Sequence, residues 1–178
     1  MEEKRTTILS GKPVTLLGAE IRVGQNAPGF SLVPPMERVE LSLTAKNVSL
    51  EESNGKVRLI TVVPSLDTPV CDMQTRRFEE IARDFKNVVF YTVSMDLPFA
   101  QYRYDNANDI STMKTLSDHR DGAFGLAYGV LIEKYRVHSR AVFIIDGSGI
   151  VRYIEYVPRM AVPPDFDKAV AALKRVLK

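Results

Sequence analysis

One cysteine stands in the 178 residues, Cys71, and the residues before it suggest what it does. Thr68 is a good N-cap residue and Pro69 suits the first helical position, which puts Cys71 third in the helix. In a first turn the backbone N–H groups are unpaired and the positive end of the helix dipole favours an anion. The thiolate is the nucleophilic form of cysteine, and such a position favours it. A hydroxyl, Thr68, stands three residues earlier. Pro64 closes an apolar strand just upstream, so the thiol lies at the carboxyl end of a buried strand, where α/β folds place ligands. The commoner fate of a lone cysteine is that of a small inert core residue. At roughly 100° per residue, Val70, Phe78, Ile81 and Phe85 share one helix face. Cys71 falls near its margin, which predicts a thiol shielded yet reachable.

The elements that must position this thiol can be read on either side of it. Residues 57–63 (VRLITVV) are mostly apolar and β-branched, as in a buried strand. Residues 69–85 have helical periodicity, with Glu79, Glu80 and Arg83 opposite the apolar face. Residues 88–93 form a second apolar strand, and strand–helix–strand predicts a parallel pair. Near the start, Ile8-Leu9 and Val14-Thr15-Leu16 flank a turn at 10–13, a β-hairpin signal. Residues 140–146 and 150–157 read as an antiparallel pair around Gly147-Ser148-Gly149. Pro163-Pro164-Asp165 opens a last amphipathic helix over 166–177. Between 97 and 134 the pattern gives only short helices, near 99–104 and 123–128, and a polar loop. This order predicts an α/β, thioredoxin-like fold: a central mixed β-sheet flanked by helices. Residues 1–178 would form one domain, with 7–33 as an N-terminal β-hairpin extension.

Composition narrows the function classes. With 45% apolar and 26% charged residues, a packed core is expected rather than disorder throughout. A net charge of +2, without a basic stripe interleaved with aromatics, gives no reason to expect nucleic acid. No apolar run is long enough for a bilayer or reads as a secretory signal, so a cytoplasmic location is expected. His119 and His138 lack the paired spacing of zinc motifs and read as exposed histidines. A Cys–His hydrolase with His138 as base has no supporting signature around Cys71. Asp105, Asp109, Asp118 and Asp121 read as a solvated acidic loop region. Gly147-Ser148-Gly149 is a hairpin turn and not a phosphate loop, because a strand follows it.

The run Pro64-Ser65-Leu66-Asp67-Thr68-Pro69-Val70-Cys71 resembles the peroxiredoxin motif, in particular that of the bacterial thiol peroxidase subfamily. Ser94-Met95-Asp96 followed by Leu97-Pro98-Phe99-Ala100-Gln101 is similar to that subfamily's SADLPFAQ stretch. Thr115-Leu116-Ser117, Ala127-Tyr128-Gly129 and Arg140-Ala141-Val142 match later landmarks in order, so the resemblance runs from about residue 7 to 177. It implies a peroxidase needing no metal or other cofactor, and a homodimer. Cys71 would attack a hydroperoxide and become a sulfenic acid. Thr68 would hydrogen-bond the thiolate and the peroxide. Arg140 would hold the thiolate and polarise the O–O bond, and Pro64 would shield the pocket from water. Without the motif, Arg140 reads as a surface charge beside a strand and Thr68 as a helix cap.

The sequence departs from the resembled pattern at one place. The slot for a second, resolving cysteine after the LPFAQ stretch holds Asp105. A carboxylate cannot attack a sulfenic acid to form a disulfide, so an external thiol would be required: a small thiol, a thioredoxin-like protein or Cys71 of another chain. The same departure keeps a second reading open, a peroxide-sensing or redox-relay protein with slow turnover. A third is a thioredoxin-fold protein without a redox role.

Overall fold

The computed structural model describes residues 5–40 and 44–178. The chain opens with the expected hairpin, β1 (Thr6–Leu9) and β2 (Lys12–Leu17), antiparallel with Leu9 opposite Lys12. Its turn residues Ser10 and Gly11 take φ of 50° and 76°, the left-handed conformation that a two-residue hairpin turn demands. Short strands β3 (Ser31–Leu32) and β4 (Val48–Ser49) pair, and a 3-10 turn over Leu50–Ser53 follows. Then come β5 (Val57–Val62), α1 (Pro69–Asp84), β6 (Val88–Ser94), α2 (Pro98–Ala107), β7 (Lys114–Ser117), α3 (Ala123–Ala127), β8 (Leu131–Ile132), β9 (Ala141–Ile145), β10 (Val151–Tyr156) and α4 (Phe166–Val176).

Five strands form the main sheet in the order β10-β9-β5-β6-β7. β5, β6 and β7 run parallel, while β9 is antiparallel to both β5 and β10. This is the mixed sheet of the thioredoxin-like fold, with the predicted parallel pair at its centre. Alternation sorts the side chains onto two faces. Leu59, Phe90, Val142 and Ile144 join Phe78 and Ala82 of α1 and Ala169 and Leu173 of α4. Ile60, Val62, Tyr91, Val93, Phe143 and Ile145 pack on the other side with Phe124 of α3, Tyr128 and N-terminal residues such as Phe30 and Leu32. β5 is buried on both faces, which is why its sequence is mostly apolar.

The 97–134 region is more ordered than its pattern suggests. β7 contributes a parallel edge strand of sequence KTLS, whose buried polar side chains have partners. Thr115 Oγ1 donates to Asp105 Oδ2 at 2.7 Å, and Ser117 Oγ donates to the Asp96 carbonyl at 2.5 Å. The acidic positions are not uniformly solvated either. Asp109 and Asp121 are exposed, Asp105 is half-buried and Asp118 is buried. Asp118 caps α3, accepting from the Phe124 and Gly125 N–H groups at 3.1 and 2.9 Å. His138, expected at the surface, is instead fully buried, with Nε2 3.0 Å from Asp118 Oδ2. A short helix needs an acceptor for its first N–H groups, and burying that carboxylate in turn requires a partner. Gly125 makes room for the pair: a Cβ there would lie 2.8 Å from His138 Nε2.

Glu79 joins α1 to the segment before β7. Its side chain is buried and accepts N–H bonds from Met113 at 2.9 Å, Thr112 at 3.0 and 3.2 Å and Ser111 at 3.4 Å. Desolvation pushes this carboxyl up, but the N–H donors outweigh it and hold it below the ordinary range. A depressed carboxylate stabilises the fold above its unfolded pKa, and that contribution is lost as pH falls through the folded value. Glu79→Gln is expected to lower stability by about 2 kcal/mol near neutrality. In urea titrations repeated at falling pH, the gap between parent and variant should narrow once Glu79 protonates.

Candidate active site

The connection from β5 to α1 builds the site. Val63 N–H bonds to the Val93 carbonyl at 3.0 Å, carrying the β5–β6 ladder one residue further. Pro64 follows, half-buried. The chain then turns, with Thr68 N–H on the Ser65 carbonyl at 3.2 Å, and α1 starts with Asp72 N–H on the Thr68 carbonyl at 2.9 Å. Thr68 has the extended backbone of an N-cap, and Pro69 is the first helical residue. The Thr68 side chain, however, does not cap the helix. Its Oγ1 lies 2.9 Å from Cys71 Sγ and 3.1 Å from the Ser65 carbonyl. A hydroxyl carries one proton. It donates to the sulfur when the sulfur is charged, and can turn to Ser65 when the sulfur holds its own proton.

Cys71 is fully buried, packed with Val63, Leu66 and Tyr104. The expectation of a reachable thiol at the margin of the helix face is therefore corrected. The enclosure comes from α2, invisible to a pattern read along α1 alone. α2 brings Tyr104 onto the first turn, where its hydroxyl donates to Asp72 Oδ1 at 2.9 Å. Burial first, and then Asp72, push the Tyr104 phenol up, keeping it a neutral donor. Beside this turn lies a cavity of about 460 Å3 lined by Leu66, Asp67, Thr68, Pro69, Asp72, Tyr104 and Asn108. Asp67 and Asp72 form ion pairs with Arg103 and Arg76 at 3.2 and 2.7 Å.

Arg140 immediately precedes β9 and is 1% exposed. It is not a surface charge. One guanidinium nitrogen, Nη2, lies 3.4 Å from Cys71 Sγ and donates to the Met160 carbonyl at 2.8 Å. Nε reaches the same carbonyl at 3.3 Å, and Nη1 donates to Gln74 Oε1 at 2.5 Å. Among the described residues none of these partners is a carboxylate. A buried cation without a counterion is costly, and the group placed to supply negative charge is the Cys71 sulfur. Gln74 completes the clamp, with its amide N–H on Thr61 Oγ1 and the Val62 carbonyl of β5. The sequence reading missed Gln74, whose full burial against β5 and Arg140 leaves no local signal in the sequence.

Cys71, Thr68 and Arg140 are thus brought together, with Pro64 in the connection leading to them. The histidines serve other contacts. His138 pairs with Asp118, and His119 Nδ1 lies 2.9 Å from Ser117 Oγ. Asp105 turns its carboxylate to Thr115 on β7, and its Oδ1 is buried without a hydrogen-bond partner among the described residues. Burial above all, with Glu79 nearby, pushes this carboxyl up to about 6 against the opposing Thr115 bond.

A thioredoxin-like sheet with a buried cysteine, hydroxyl and guanidinium at the start of its first long helix defines a class. Residues 23–154 match the AhpC/TSA family, and the chain belongs to it. Among curated relatives, a thiol peroxidase of Halalkalibacterium halodurans is 49% identical over 167 residues, covering 94% of this chain and 96% of the relative. The thiol peroxidase of Bacillus subtilis is 46% identical over 168 residues, with 94% and 96% covered. A peroxiredoxin-like protein from Aquifex aeolicus superposes with a TM-score of 0.86 at 38% identity, covering 97% of each chain. A thiol peroxidase from Chromobacterium violaceum, 21% identical, shares the fold with a TM-score of 0.84.

Gln74→Ala should free the Arg140 guanidinium from one anchor without touching the sulfur. Losing a hydrogen bond to a charged group removes about 1.5–3 kcal/mol. Stopped-flow measurement should then find Cys71 oxidation slowed about ten- to a hundredfold. Asp105 gives a pH signature of opposite sign to that of Glu79. A carboxyl raised by folding stabilises most below its unfolded pKa, and that stability is lost as pH rises through about 6. Asp105→Asn should therefore melt higher than the parent at about pH 7.5, with the difference shrinking toward about pH 4.

Proposed function

We propose that the protein is a thiol-dependent peroxidase with Cys71 as its peroxidatic nucleophile. The observation that carries this reading is the buried guanidinium of Arg140, 3.4 Å from a buried sulfur that also lies 2.9 Å from the Thr68 hydroxyl. The thiolate attacks one oxygen of hydrogen peroxide or an organic hydroperoxide. An S–O bond forms as the O–O bond breaks, and the leaving oxygen takes a proton to depart as water or alcohol. Arg140 and Thr68 are fixed donors for the charge that moves from sulfur to the leaving oxygen. Pro64 shields the pocket from water. No metal, flavin or haem enters this chemistry.

Cys71 is left as a sulfenic acid. With Asp105 in place of a second thiol, and one cysteine in the chain, the next partner is external. One thiol displaces water to give a mixed disulfide. A second releases Cys71 and leaves as the oxidised reductant. A thioredoxin-like protein or a small thiol fits this role. The same reading makes the protein cytoplasmic and homodimeric. Among the described residues no helix is long and apolar enough to cross a membrane.

Full burial of the sulfur favours one alternative: a sensor whose oxidation is read by a partner and whose turnover is slow. The test is the mass of Cys71 after one equivalent of peroxide, with and without thiols, alongside peroxide consumption. A peroxidase gains one oxygen, loses it on thiol addition and turns over. Cys71→Ser should abolish consumption. Arg140→Lys should slow oxidation at least about a hundredfold, because an ammonium cannot reproduce the planar fork. Oxidation without thiol-supported turnover would leave only the sensor, and inert Cys71 would remove both readings.

A further inference from the structure

Asp96, between β6 and α2, makes no hydrogen bond to Cys71, yet three donors converge on its carboxylate. Ser65 Oγ donates to Oδ1 at 2.7 Å. Leu66 N–H and Ser94 Oγ donate to Oδ2 at 2.7 and 2.8 Å. Its backbone carbonyl accepts from Ser117 Oγ of β7, and Gln101 of α2 donates to Ser94 Oγ at 3.1 Å. The ends of two parallel strands and the start of α2 are thereby knotted at one residue. The residues it grips, Ser65 and Leu66, belong to the connection between β5 and α1.

That grip leads to the sulfur in two steps. The Ser65 carbonyl accepts the Thr68 N–H at 3.2 Å, which fixes the Thr68 backbone in both states, and lies 3.1 Å from the Thr68 hydroxyl, which can turn to it when the sulfur is protonated. The same hydroxyl lies 2.9 Å from Cys71 Sγ. Leu66 itself packs against Cys71. We propose that Asp96 is a positioning residue for the reactive thiol: by holding Ser65 and Leu66 it sets where the Thr68 hydroxyl stands relative to the sulfur. The proposal rests on Cys71 being the nucleophile.

The role is one of geometry rather than charge. A negative group near a thiolate works against it, so electrostatics gives no reason to place a carboxylate here. A carboxylate is an acceptor-only group, suited to three converging donors. An asparagine can reproduce the arrangement. Its carbonyl can accept from Leu66 N–H and Ser94, while its NH2 donates to a reversed Ser65 hydroxyl. An alanine cannot.

The test uses the full chain and the variants D96A, D96N and S65A, each with its melting temperature. Two rates are read across pH: oxidation by hydrogen peroxide, and alkylation by iodoacetamide, which reports the thiolate without peroxide. D96A is expected to oxidise about a hundredfold more slowly, the cost of misplacing a catalytic group by about an ångström. Its alkylation profile should move to higher pH. D96N should stay close to the parent in both. S65A, keeping the Leu66 bond, should fall between them, about tenfold slower. A folded D96A with the parent's rate and profile overturns the proposal, as does a D96N as impaired as D96A, which would assign the effect to charge. If D96A does not fold, S65A decides, and parent-like rates in it overturn the proposal. Should the parent alkylate readily but consume no peroxide, the peroxidase reading fails while the alkylation profiles still judge Asp96.

Discussion

The arrangement depends on one buried positive charge. Arg140 is withdrawn from water with a backbone carbonyl, an amide oxygen and a sulfur for company. Carbonyl and amide dipoles satisfy its donors but leave its charge uncompensated. The fold thus sets one thiol, Cys71, against a guanidinium whose other partners are uncharged. The helix start adds to this through the dipole of α1, and Thr68 through a donated hydrogen bond. All three features converge on the one sulfur.

Each part of the site is fixed by something rigid. Gln74 reaches back to β5, a strand buried on both faces. Met160, which holds Arg140 from the far side, lies just after β10. Tyr104 closes the site from α2 and is tied to α1 through Asp72. Cys71 and Thr68 come from one stretch of chain and Arg140 from another about 70 residues on, and the sheet brings the two together. This explains why the cysteine, inside the first helical turn, ends fully enclosed.

Much of this was legible before any coordinates. The mostly apolar run of β5, the periodicity of α1 and α4, and the Ser10-Gly11 turn each produced the element they implied, within a residue or so at the ends. Thr68 and Pro69 located the helix start because an N-cap and a first-position proline are local signals. The unread parts are those whose logic is tertiary. β7 reads as polar because Thr115 and Ser117 are satisfied by Asp105 and Asp96, not by apolar neighbours. His138 and Asp118 read as surface groups because each is buried only on account of the other. Gln74 was passed over because a glutamine within a helix is unremarkable until the strand beneath it and an arginine 66 residues on are seen to share it.

The amide of Gln74 roots the site in the middle of the sheet rather than in a surface loop. Strands of that kind open to solvent only when the whole molecule does. The Gln74 anchor of Arg140 should thus share the lifetime of the native state. A centre of this sort loses its chemistry on heating together with its fold, and its useful life at high temperature is the unfolding rate itself.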